Sequence, residues 1–466
     1  MILEQHYLQC LSQASYLIVD ERTKVAAVVD PRRDVQLYID RAKELGARIE
    51  HVILTHFHAD FLAGHLELRE ATGATIHLGA QAQASYEHAA LADGDAIEFG
   101  DVRLSILETP GHTPESISIV VFDLAVSADE PHGVMTGDTL FIGDVGRPDL
   151  MASIGMTADE LAGMLYDSLR EKLLPLADAT KVYPGHGAGS SCGKNLSTET
   201  VSTMGDQRQF NYALQPMSKE DFVAQLTCNQ PKAPAYFPRA AALNKETRGM
   251  LDGALEHARA ALDRAAFLAA RDAGAQVLDT RSNDDFAGGH LPGSLWVGLD
   301  GRFASWAGTI LDLDRSVLLI GEPGTEAEAA LRLARVGIDK VIGYLDGGIA
   351  ALDAGTLKTV PRVSVREAAE ELAGASAPVV LDVRGPGEFE DGHIDGAVLL
   401  PLPELNARLA DVPRAPRMIV HCKSGYRSVC AWSVMAANGI EAVDVAGGFD
   451  AWAESGAPVV APAEAQ

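Results

Sequence analysis

The chain has 466 residues, 47% apolar and 22% charged, the composition of an ordinary globular protein long enough for about two to four domains. Its formal net charge of −27 makes nucleic acid and anionic membranes poor partners for its surface. The five cysteines, Cys10, Cys192, Cys228, Cys422 and Cys430, are too scattered for a disulfide framework and the first residues contain no secretory leader, so we expect a reduced, cytoplasmic compartment.

Short apolar runs in the first half of the chain predict strands. They are Tyr16–Val19, Val25–Asp30, Val52–Thr55, Val102–Leu107 and Ile117–Phe122. Segments 34–46 and 62–72 mix polar and apolar residues at helical spacing and lie between these strands. The alternation of strands and helices predicts a layered α/β fold.

Histidines and aspartates follow several of the predicted strands or lie in glycine-containing turns. The set comprises His56, His58, Asp60, His112, Asp138 and His186. Functional sites of α/β folds form on the loops that follow strands, and imidazole and carboxylate groups are common ligands of transition metals. One such histidine is usually structural, whereas the spaced set indicates a metal site.

The order and spacing of these residues resemble the metallo-β-lactamase superfamily over about residues 1–215. The family pattern H-x-H-x-D-H places a further histidine at position 61, where this chain has Phe61. A phenyl ring cannot coordinate a metal. The resemblance therefore implies an αββα sandwich that lacks a usual ligand of the second metal.

Within that superfamily, the remaining residues resemble those of the persulfide dioxygenases. The resemblance implies one Fe(II) per chain, held by His56, His112 and Asp138. Two imidazoles and one carboxylate leave coordination positions open for reaction, as in other non-haem iron oxygenases.

The same resemblance assigns roles to residues around the metal. His58, Asp60 and His186 become hydrogen-bonding groups that orient the ligands. Arg147 matches a basic residue of the dioxygenases and is a candidate for substrate binding. The alternative interpretation of Arg147 is a buried salt bridge with Asp149.

Cys192 lies six residues after His186, in a segment rich in glycine and serine. Backbone N–H groups in such turns can support an anion, so this thiol is a candidate second sulfur carrier beside the metal. A partly exposed loop cysteine without a function is the competing interpretation.

The second half of the chain contains an internal repeat. LDTRSNDDFAGGHLPGS (278–294) matches LDVRGPGEFEDGHIDGA (381–397). Strands alternate with helical segments in each copy, which predicts a small α/β unit with a parallel sheet, used twice. Before the repeat, the alanine-rich, charged stretch Asn244–Ala270 is predicted to be helical.

The second copy carries a cysteine loop between a predicted strand and a predicted helix. In H-C-K-S-G-Y-R, Cys422 begins the loop and Arg427 ends it. The backbone N–H groups, the positive end of the helix, Lys423 and Arg427 all favour the thiolate, which is the nucleophilic form of cysteine. Cys430, inside the apolar helix, is predicted to pack in the core.

This loop and its L-D-x-R…G-H partner resemble the rhodanese sulfurtransferases over about residues 363–460. The resemblance implies that Cys422 carries a persulfide, with Lys423 and Arg427 contacting the anionic sulfur donor. The first copy has LLIGEPGTEAEAA (318–330), with Glu322 near the cysteine position. It therefore resembles an inactive rhodanese domain.

These features predict four segments of an α/β protein. They are a metallo-β-lactamase-fold dioxygenase domain (1–238), a helical linker (239–262), an inactive rhodanese-like domain (263–358) and a catalytic rhodanese domain (359–466). Both rhodanese-like domains are expected to contain parallel sheets.

Together the resemblances predict an enzyme of sulfur metabolism. Its dioxygenase would oxidise a low-molecular-weight thiol persulfide with O₂ to sulfite and free thiol, and Cys422 would exchange sulfane sulfur with thiosulfate. The thiol stays open between glutathione, coenzyme A and others. We expect a homo-oligomer, either a dimer or a tetramer, with no nucleic-acid or membrane partner.

Two other classes of protein stay open at this point. A glyoxalase-II-like thioester hydrolase would use metal-bound hydroxide on two zinc ions, and Phe61 argues against it. A sulfur-binding regulator would use the metal for structure alone and would consume no O₂.

Overall fold

The computed structural model of the protein describes residues 1–150, 155–194, 196–228, 230 and 232–460. Contacts within the chain divide it into two compact units. The first unit contains Met1–Gly253 and Ala334–Gly337, and the second contains Ala254–Leu333 and Ile338–Gln466. Within the described ranges, no helix has both the length and the apolar character needed to cross a membrane.

The first sheet of the first unit has six strands in chain order. They are β1 (Ile2–Leu8), β2 (Gln13–Val19), β3 (Val25–Val29), β4 (Arg48–Ile53), β5 (Thr75–Gly79) and β6 (Ala89–Leu91). Strands β1 to β3 pair antiparallel, and β3 to β6 pair parallel. β2 and β3 are buried along their whole length, as expected of strands covered by protein on both faces.

The second sheet also has six strands, in the order β12-β11-β10-β9-β8-β7. They are β7 (Ala96–Phe99), β8 (Val102–Glu108), β9 (Ile117–Asp123), β10 (Gly133–Gly137), β11 (Lys181–Pro184) and β12 (Ser202–Thr203). Neighbours run antiparallel except β10 and β11, which are parallel. Ile18 and Val29 of the first sheet share one apolar core with Leu104 and Ile119 of the second.

Helices cover this pair of sheets. They are α1 (Gln36–Glu44), α2 (His65–Thr72), α3 (Ala158–Ser168), α4 (Met204–Phe210), α5 (Lys219–Thr227) and α6 (Phe237–Lys245). The next helix, α7 (Leu251–Ala258), begins in the first unit and ends in the second. α1 and α2 contact β4 of the first sheet, whereas Leu165 of α3 and Phe222 of α5 pack with Val134 and Val182 of the second. The αββα sandwich expected from the sequence is thereby confirmed.

The second unit contains two five-stranded sheets of the same topology. The first repeat has β13 (Ala261–Leu262), β14 (Gln276–Asp279), β15 (Leu295–Trp296), β16 (Val317–Ile320) and β17 (Val341–Leu345). The second has β18 (Arg362–Val363), β19 (Val379–Asp382), β20 (Val398–Leu399), β21 (Met418–His421) and β22 (Val443–Val445). The strand orders are β13-β17-β16-β14-β15 and β18-β22-β21-β19-β20, all parallel, which confirms the predicted duplication.

Parallel strands require crossover connections, and helices supply most of them in both repeats. The helices of the first repeat are α8 (Arg264–Asp272), α9 (Asn283–Gly288), α10 (Phe303–Ile310) and α11 (Glu326–Ala334). Those of the second are α12 (Val365–Leu372), α13 (Pro386–Glu390), α14 (Leu402–Leu405), α15 (Tyr426–Ala437) and α16 (Gly448–Glu454).

The stretch Asn244–Ala270, which was predicted to be helical, is helical over most of its length but is divided between α6, α7 and α8. α6 ends at Lys245, β13 interrupts the stretch by pairing with β17, and α8 begins after Asp263, whose side chain accepts the N–H of Ala266. Alanine has a high helix propensity, but strand pairing and a helix cap outweigh this local preference. Of the predicted linker, residues 239–253 belong to the first unit.

Candidate metal centre and cysteine loop

The predicted metal ligands come together from three separate loops. His56 follows β4, His112 lies between β8 and β9, and Asp138 follows β10. The loop after β11 approaches Asp138 closely at Gly185. A Cβ added to Gly185 would lie only 2.6 Å from Oδ1 of Asp138. A larger residue at that position would displace the carboxylate.

Three ligand atoms form a compact, buried group. Oδ2 of Asp138 lies 3.8 Å from Nε2 of His56 and 3.5 Å from Nε2 of His112. One ligand atom of each residue falls within 4.8 Å of the other two. Across the described part of the chain, no donor forms a hydrogen bond with Oδ2 of Asp138, and a buried carboxylate oxygen of this kind suits a bound cation.

Hydrogen bonds on the far side of each imidazole fix its tautomer. Nδ1 of His112 donates to the backbone carbonyl of Arg147 at 2.8 Å. The Thr55 hydroxyl donates to Asp30 at 2.7 Å and therefore accepts from Nδ1 of His56 at 3.0 Å. Each ring thus carries its proton on Nδ1 and leaves the lone pair of Nε2 for a metal.

Electrostatics keep these groups in the protonation states that bind a metal. Burial and the neighbouring His58 lower the pKa of His56 well below its ordinary value, and burial lowers the pKa of His112. Burial opposes the ionisation of Asp138, but the adjacent His186 and His56 hold the pKa of its carboxyl well below the usual range. Two neutral imidazoles and one carboxylate therefore fit a divalent transition metal.

His186 connects two carboxylates behind the ligands. Its Nδ1 lies 2.7 Å from Oδ1 of Asp138, and its Nε2 lies 2.8 Å from Oδ2 of Asp60. Burial acts to lower the pKa of His186, yet the two carboxylates raise it well above its ordinary value. The imidazolium thus contacts one oxygen of Asp138 and leaves Oδ2 without a hydrogen bond, while the orienting roles of His186 and Asp60 stay a prediction.

Phe61 supplies packing where the family pattern has a histidine. Its buried ring lies 4.3 Å from the ring of His58, measured between centroids. Nε2 of His58 lies 3.0 Å from Oδ1 of Asp30, and its ring lies 4.2 Å from that of His56. Position 61 therefore offers no ligand atom and stabilises the orientation of His58.

Cys192 is buried beside the candidate metal centre, so the expectation of a partly exposed cysteine is wrong. Its Sγ falls within 4.8 Å of ligand atoms of Asp60 and His186. Burial, followed by the carboxylates of Asp60 and Asp138, raises the pKa of this thiol well above its ordinary value. Cys192 is thus a neutral thiol next to the metal ligands, and a role in carrying sulfur stays a prediction.

The buried guanidinium of Arg147 forms a salt bridge with Asp149. Nε donates to Oδ1 at 2.7 Å, and a terminal nitrogen donates to Oδ2 at 2.6 Å. The backbone N–H of Arg147 donates to the carbonyl of Cys192 at 3.0 Å, while its own carbonyl accepts from His112. These contacts match the salt-bridge interpretation, and substrate binding by Arg147 stays a prediction.

Two residues that the sequence did not single out hold the metal-binding loop. The Asn244 amide, in α6, donates to the carbonyls of His58 and Phe61, each at 2.8 Å. The Tyr236 hydroxyl donates to the carbonyl of Asp60 at 3.0 Å. For Asn244, the signal in the sequence is an asparagine within a short, alanine-rich stretch. That signal does not identify His58, 186 positions away, as its partner.

Cys422 is buried directly after β21. The backbone N–H of Gly425 donates to its Sγ at 3.1 Å. The carbonyl of Cys422 accepts the N–H of Phe449 at 2.7 Å, and the carbonyl of Lys423 accepts that of Asp450 at 2.9 Å. In a planar trans peptide, the carbonyl of one residue and the N–H of the next residue point in opposite directions. A hydrogen bond to each carbonyl therefore also fixes the direction of the N–H that follows it. Several N–H groups fixed in this way can bind an anion.

The basic side chains of the loop have different environments. Two nitrogens of the Arg427 guanidinium donate to the carboxylate of Glu388 at 2.6 and 2.7 Å. Burial acts to lower the pKa of Arg427, but Glu388 raises it, so the guanidinium is charged and paired. Lys423 is exposed. Contact of either residue with a sulfur donor stays a prediction.

The corresponding loop of the first repeat has no thiol. β14 and β16 pair in the same register as β19 and β21. The residue after the paired strand is Gly321 in the first repeat and Cys422 in the second, with Glu322 one position later. A Cβ at Gly321 would lie 3.0 Å from the hydroxyl oxygens of Thr280 and Thr325. A glycine here leaves no side chain to carry sulfur.

Models of two known families match the two halves of the chain. The metallo-beta-lactamase superfamily matches residues 8–186. The rhodanese-like domain matches residues 263–354 and again 364–455. The paired match agrees with the two repeats of the second unit.

Individual relatives match over part or most of the chain. A Bos taurus protein named persulfide dioxygenase ETHE1, mitochondrial, is 32% identical over 217 residues, or 45% of this chain and 74% of that protein. A Schizosaccharomyces pombe protein named probable hydroxyacylglutathione hydrolase is 30% identical over 220 residues, or 42% of this chain and 80% of that protein. A solved metallo-beta-lactamase structure from Staphylococcus aureus subsp. aureus COL is 32% identical with a TM-score of 0.67, over 74% of this chain and 98% of that one.

Proposed function

Because this chain belongs to the metallo-β-lactamase superfamily and carries two rhodanese-like domains, we propose that it is a mononuclear iron persulfide dioxygenase joined to a sulfurtransferase. The dioxygenase oxidises a low-molecular-weight thiol persulfide with O₂ to sulfite and free thiol. The observation that carries the proposal is the buried group of His56, His112 and Asp138, next to a position 61 that offers no ligand.

The donor set supports iron, since two imidazoles and one carboxylate are typical of non-haem iron oxygenases. Bound Fe(II) supplies the redox chemistry that allows O₂ to react with a closed-shell sulfur compound. The chain holds the ion through His56, His112 and Asp138, and Thr55 and the Arg147 carbonyl orient the two rings. Burial of these ligands excludes bulk water from the site.

The overall oxidation balances with one water. R–S–SH, O₂ and H₂O give R–SH and sulfurous acid, which ionises to sulfite. The S–S bond breaks, the terminal sulfur is oxidised, and O₂ is the oxidant. Glutathione persulfide and coenzyme A persulfide are the two substrates with which we propose to test the site.

Cys422 carries the second activity in this proposal. Its thiolate attacks the outer sulfur of thiosulfate, the S–S bond breaks, and sulfite leaves with the electron pair. A thiolate acceptor then attacks the sulfur of the Cys422 persulfide and regenerates the Cys422 thiolate. The same steps in reverse transfer sulfur from R–S–SH to sulfite. Sulfite is therefore common to both activities, and fusion in one chain raises its effective concentration.

We propose that the first repeat has no sulfurtransferase activity. The glycine at position 321 supports this assignment, since sulfur transfer requires a thiol at the position of Cys422. The anionic Glu322 beside it would also repel thiosulfate.

A zinc-dependent thioester hydrolase is the second candidate function. The similarity to a protein named hydroxyacylglutathione hydrolase favours it, as does a second group of ligating residues, Asp60, His186 and Cys192. Against it, both nitrogens of His186 face carboxylates. The phenyl ring of Phe61 further removes a ligand that a second zinc would use.

Metal analysis combined with O₂ uptake tests the proposal. We expect about one iron per chain, and O₂ consumption with glutathione persulfide or coenzyme A persulfide. About two zinc ions per chain with thioester hydrolysis and no O₂ uptake would contradict the proposal and support the hydrolase. No O₂ uptake by the iron-replete protein would indicate a structural metal.

The variant Phe61→His tests whether Phe61 prevents the binding of a second metal ion. If Phe61 excludes the second ion, the variant gains zinc binding in a titration, while the wild-type protein does not. Absence of a gain would show that the carboxylates around His186 also prevent binding.

A further inference from the structure

The first repeat holds the cysteine loop of the second repeat. Nδ2 of Asn283, the first residue of α9, donates to the carbonyl of Gly425 at 3.0 Å. The N–H of the same Gly425 donates to Sγ of Cys422 at 3.1 Å. The residue that contacts the sulfur through its amide is therefore bound through its carbonyl to the other repeat.

This hydrogen bond fixes one peptide plane of the loop. The peptide between Gly425 and Tyr426 is planar and trans, so the Asn283 amide determines the direction of the Tyr426 N–H. Gly425 has a φ of +98°, which glycine adopts easily. Because glycine can adopt many other backbone conformations as well, hydrogen bonds from outside the loop help to keep Gly425 in this one. Tyr426 begins α15, where first-turn N–H groups have no partner within the helix.

The second repeat supports only part of this loop by itself. Its own α16 holds the carbonyls of Cys422 and Lys423. The carbonyl of Gly425 is held by Asn283 of the first repeat instead. The amides that face an anion are thus oriented by both repeats.

A polar network extends from Asn283 to the start of α15. Oδ1 of Asn283 accepts a hydrogen bond from the Arg362 guanidinium. Nε of Arg362 donates to Asp444 at 3.2 Å, and the Ser428 hydroxyl donates to the same carboxylate at 2.7 Å. Gly425 and Ser428, on either side of Arg427, are both connected to this network.

A second contact with the first repeat lies on Tyr426. The Tyr426 hydroxyl donates to the carbonyl of Gly298 at 2.8 Å. The Tyr426 ring lies 4.9 Å from the ring of Trp296, between centroids, and the backbone N–H of Trp296 donates to the hydroxyl of Ser433 at 3.0 Å. The first turns of α15 are therefore packed and hydrogen-bonded against the first repeat.

The contact is not part of the sequence pattern that both repeats share. Where the first repeat has Asn283 in LDTRSND, the second has Pro386 in LDVRGPG, and proline has no side-chain donor. The first repeat thus lacks the thiol but has the amide, and the second repeat has the thiol but lacks the amide.

We propose that the first rhodanese-like repeat positions the sulfur-carrying loop of the second, with Asn283 as the positioning residue. The inference rests on the proposed sulfur transfer at Cys422. It gives the repeat without a thiol a specific role in the reaction of the other repeat.

Three variants of the iron-loaded, 466-residue chain test the inference. Asn283→Ala removes both hydrogen bonds. Asn283→Asp, which has nearly the same shape, keeps the acceptor for Arg362 but has no N–H for Gly425. Asn406→Ala is the matched control, because Nδ2 of Asn406 also joins the repeats, donating to the carbonyl of Ile310 at 2.9 Å without contacting the cysteine loop.

Both Asn283 variants lose the hydrogen bond to the Gly425 carbonyl. We expect each of them to lower kcat for sulfur transfer from thiosulfate to cyanide by about 3- to 10-fold, the effect of losing that one hydrogen bond. The alkylation rate of Cys422 at fixed pH should fall with it, while O₂ uptake with glutathione persulfide stays unchanged. Asn406→Ala should match the wild-type protein in all three measurements. If Asn283→Ala fails to fold, Asn283→Asp provides the test.

Wild-type rates of transfer and alkylation in a folded Asn283 variant would overturn the inference. Equal losses in Asn406→Ala would also overturn it, since any weakening of contact between the repeats would then have the same effect. Mass spectrometry of the wild-type protein after thiosulfate treatment separates the two proposals. If Cys422 gains no sulfur there, the proposed sulfur transfer fails, and the positioning role fails with it.

Discussion

The metal centre and the cysteine loop hold their reactive atoms in different ways. The proposed metal ligands are side chains from separate loops, and groups outside those side chains, such as the Arg147 carbonyl behind His112, set their orientation. Cys422 lies in one continuous loop, where backbone amides such as that of Gly425 face the sulfur. Loss of one side chain should therefore destroy the metal centre, whereas loss of a charged side chain should only weaken the loop.

The largest expected effect is the loss of the metal. His112→Ala leaves two protein ligands, so the variant should retain no iron after desalting and should consume no O₂ with a persulfide. Iron is measured by mass spectrometry of the desalted protein. His132→Ala, which removes a half-buried histidine beside Tyr183, is the control and should retain its iron. A full iron complement in His112→Ala would refute the ligand assignment.

The next effect separates the two activities. Cys422→Ser should eliminate sulfur transfer from thiosulfate, because serine cannot form a persulfide, and should leave the oxidation of added persulfide largely intact. Cys228→Ser, at an exposed cysteine, should change neither activity. Loss of both activities in folded Cys422→Ser would show that the two sites do not act independently and that the oxygenase takes its substrate from Cys422.

The basic residues of the loop should show an intermediate effect. Arg427→Ala should lower thiosulfate kcat/KM by roughly 10- to 150-fold, the effect of a lost charge-assisted hydrogen bond, and Lys423→Ala should cost less because an ammonium is a flexible point charge. Glu388→Gln, which keeps the shape of the partner of Arg427 but removes its charge, tests whether Arg427 acts on thiosulfate. A loss in Glu388→Gln as large as in Arg427→Ala would indicate that the ion pair is structural.

The smallest expected effect concerns the thiol beside the metal. Cys192→Ser should retain its iron, because the three ligands are unchanged, and should lower persulfide turnover by about 2- to 10-fold if this thiol takes part in sulfur handling. Single-turnover measurements with glutathione persulfide give the rate. Unchanged turnover would identify Cys192 as a loop cysteine without a sulfur-carrying role.

The elements and ligand candidates that were predictable from sequence share a local signal. His56, His112 and Asp138 follow strands in short, recognisable motifs, and the structure brings them together. The duplication in the second half was visible as a repeated motif, and the repeated strand order reproduces it. A local pattern is sufficient to predict such candidate ligands when the fold brings their loops together.

The residues that support these sites were not predictable in the same way. Asn244 holds the metal-binding loop from 186 positions away, and Asn283 holds Gly425 from 142 positions away. Neither spacing leaves a pattern in a single sequence. The stretch Asn244–Ala270 is mostly helical, as predicted, but β13 interrupts it because local propensity is weaker than the pairing of β13 with β17.

The ratio of O₂ consumed to sulfite formed, measured with iron-loaded Cys422→Ser and glutathione persulfide, tests whether the first unit is a persulfide dioxygenase. This variant removes sulfur exchange, so sulfite formed at the metal centre accumulates and can be counted against O₂ consumed. We predict equal amounts of O₂ consumed and sulfite formed, and neither in the Cys422→Ser protein that also carries His112→Ala. Disappearance of the persulfide without O₂ uptake, or O₂ uptake without sulfite, would contradict the assignment of the first unit as a persulfide dioxygenase.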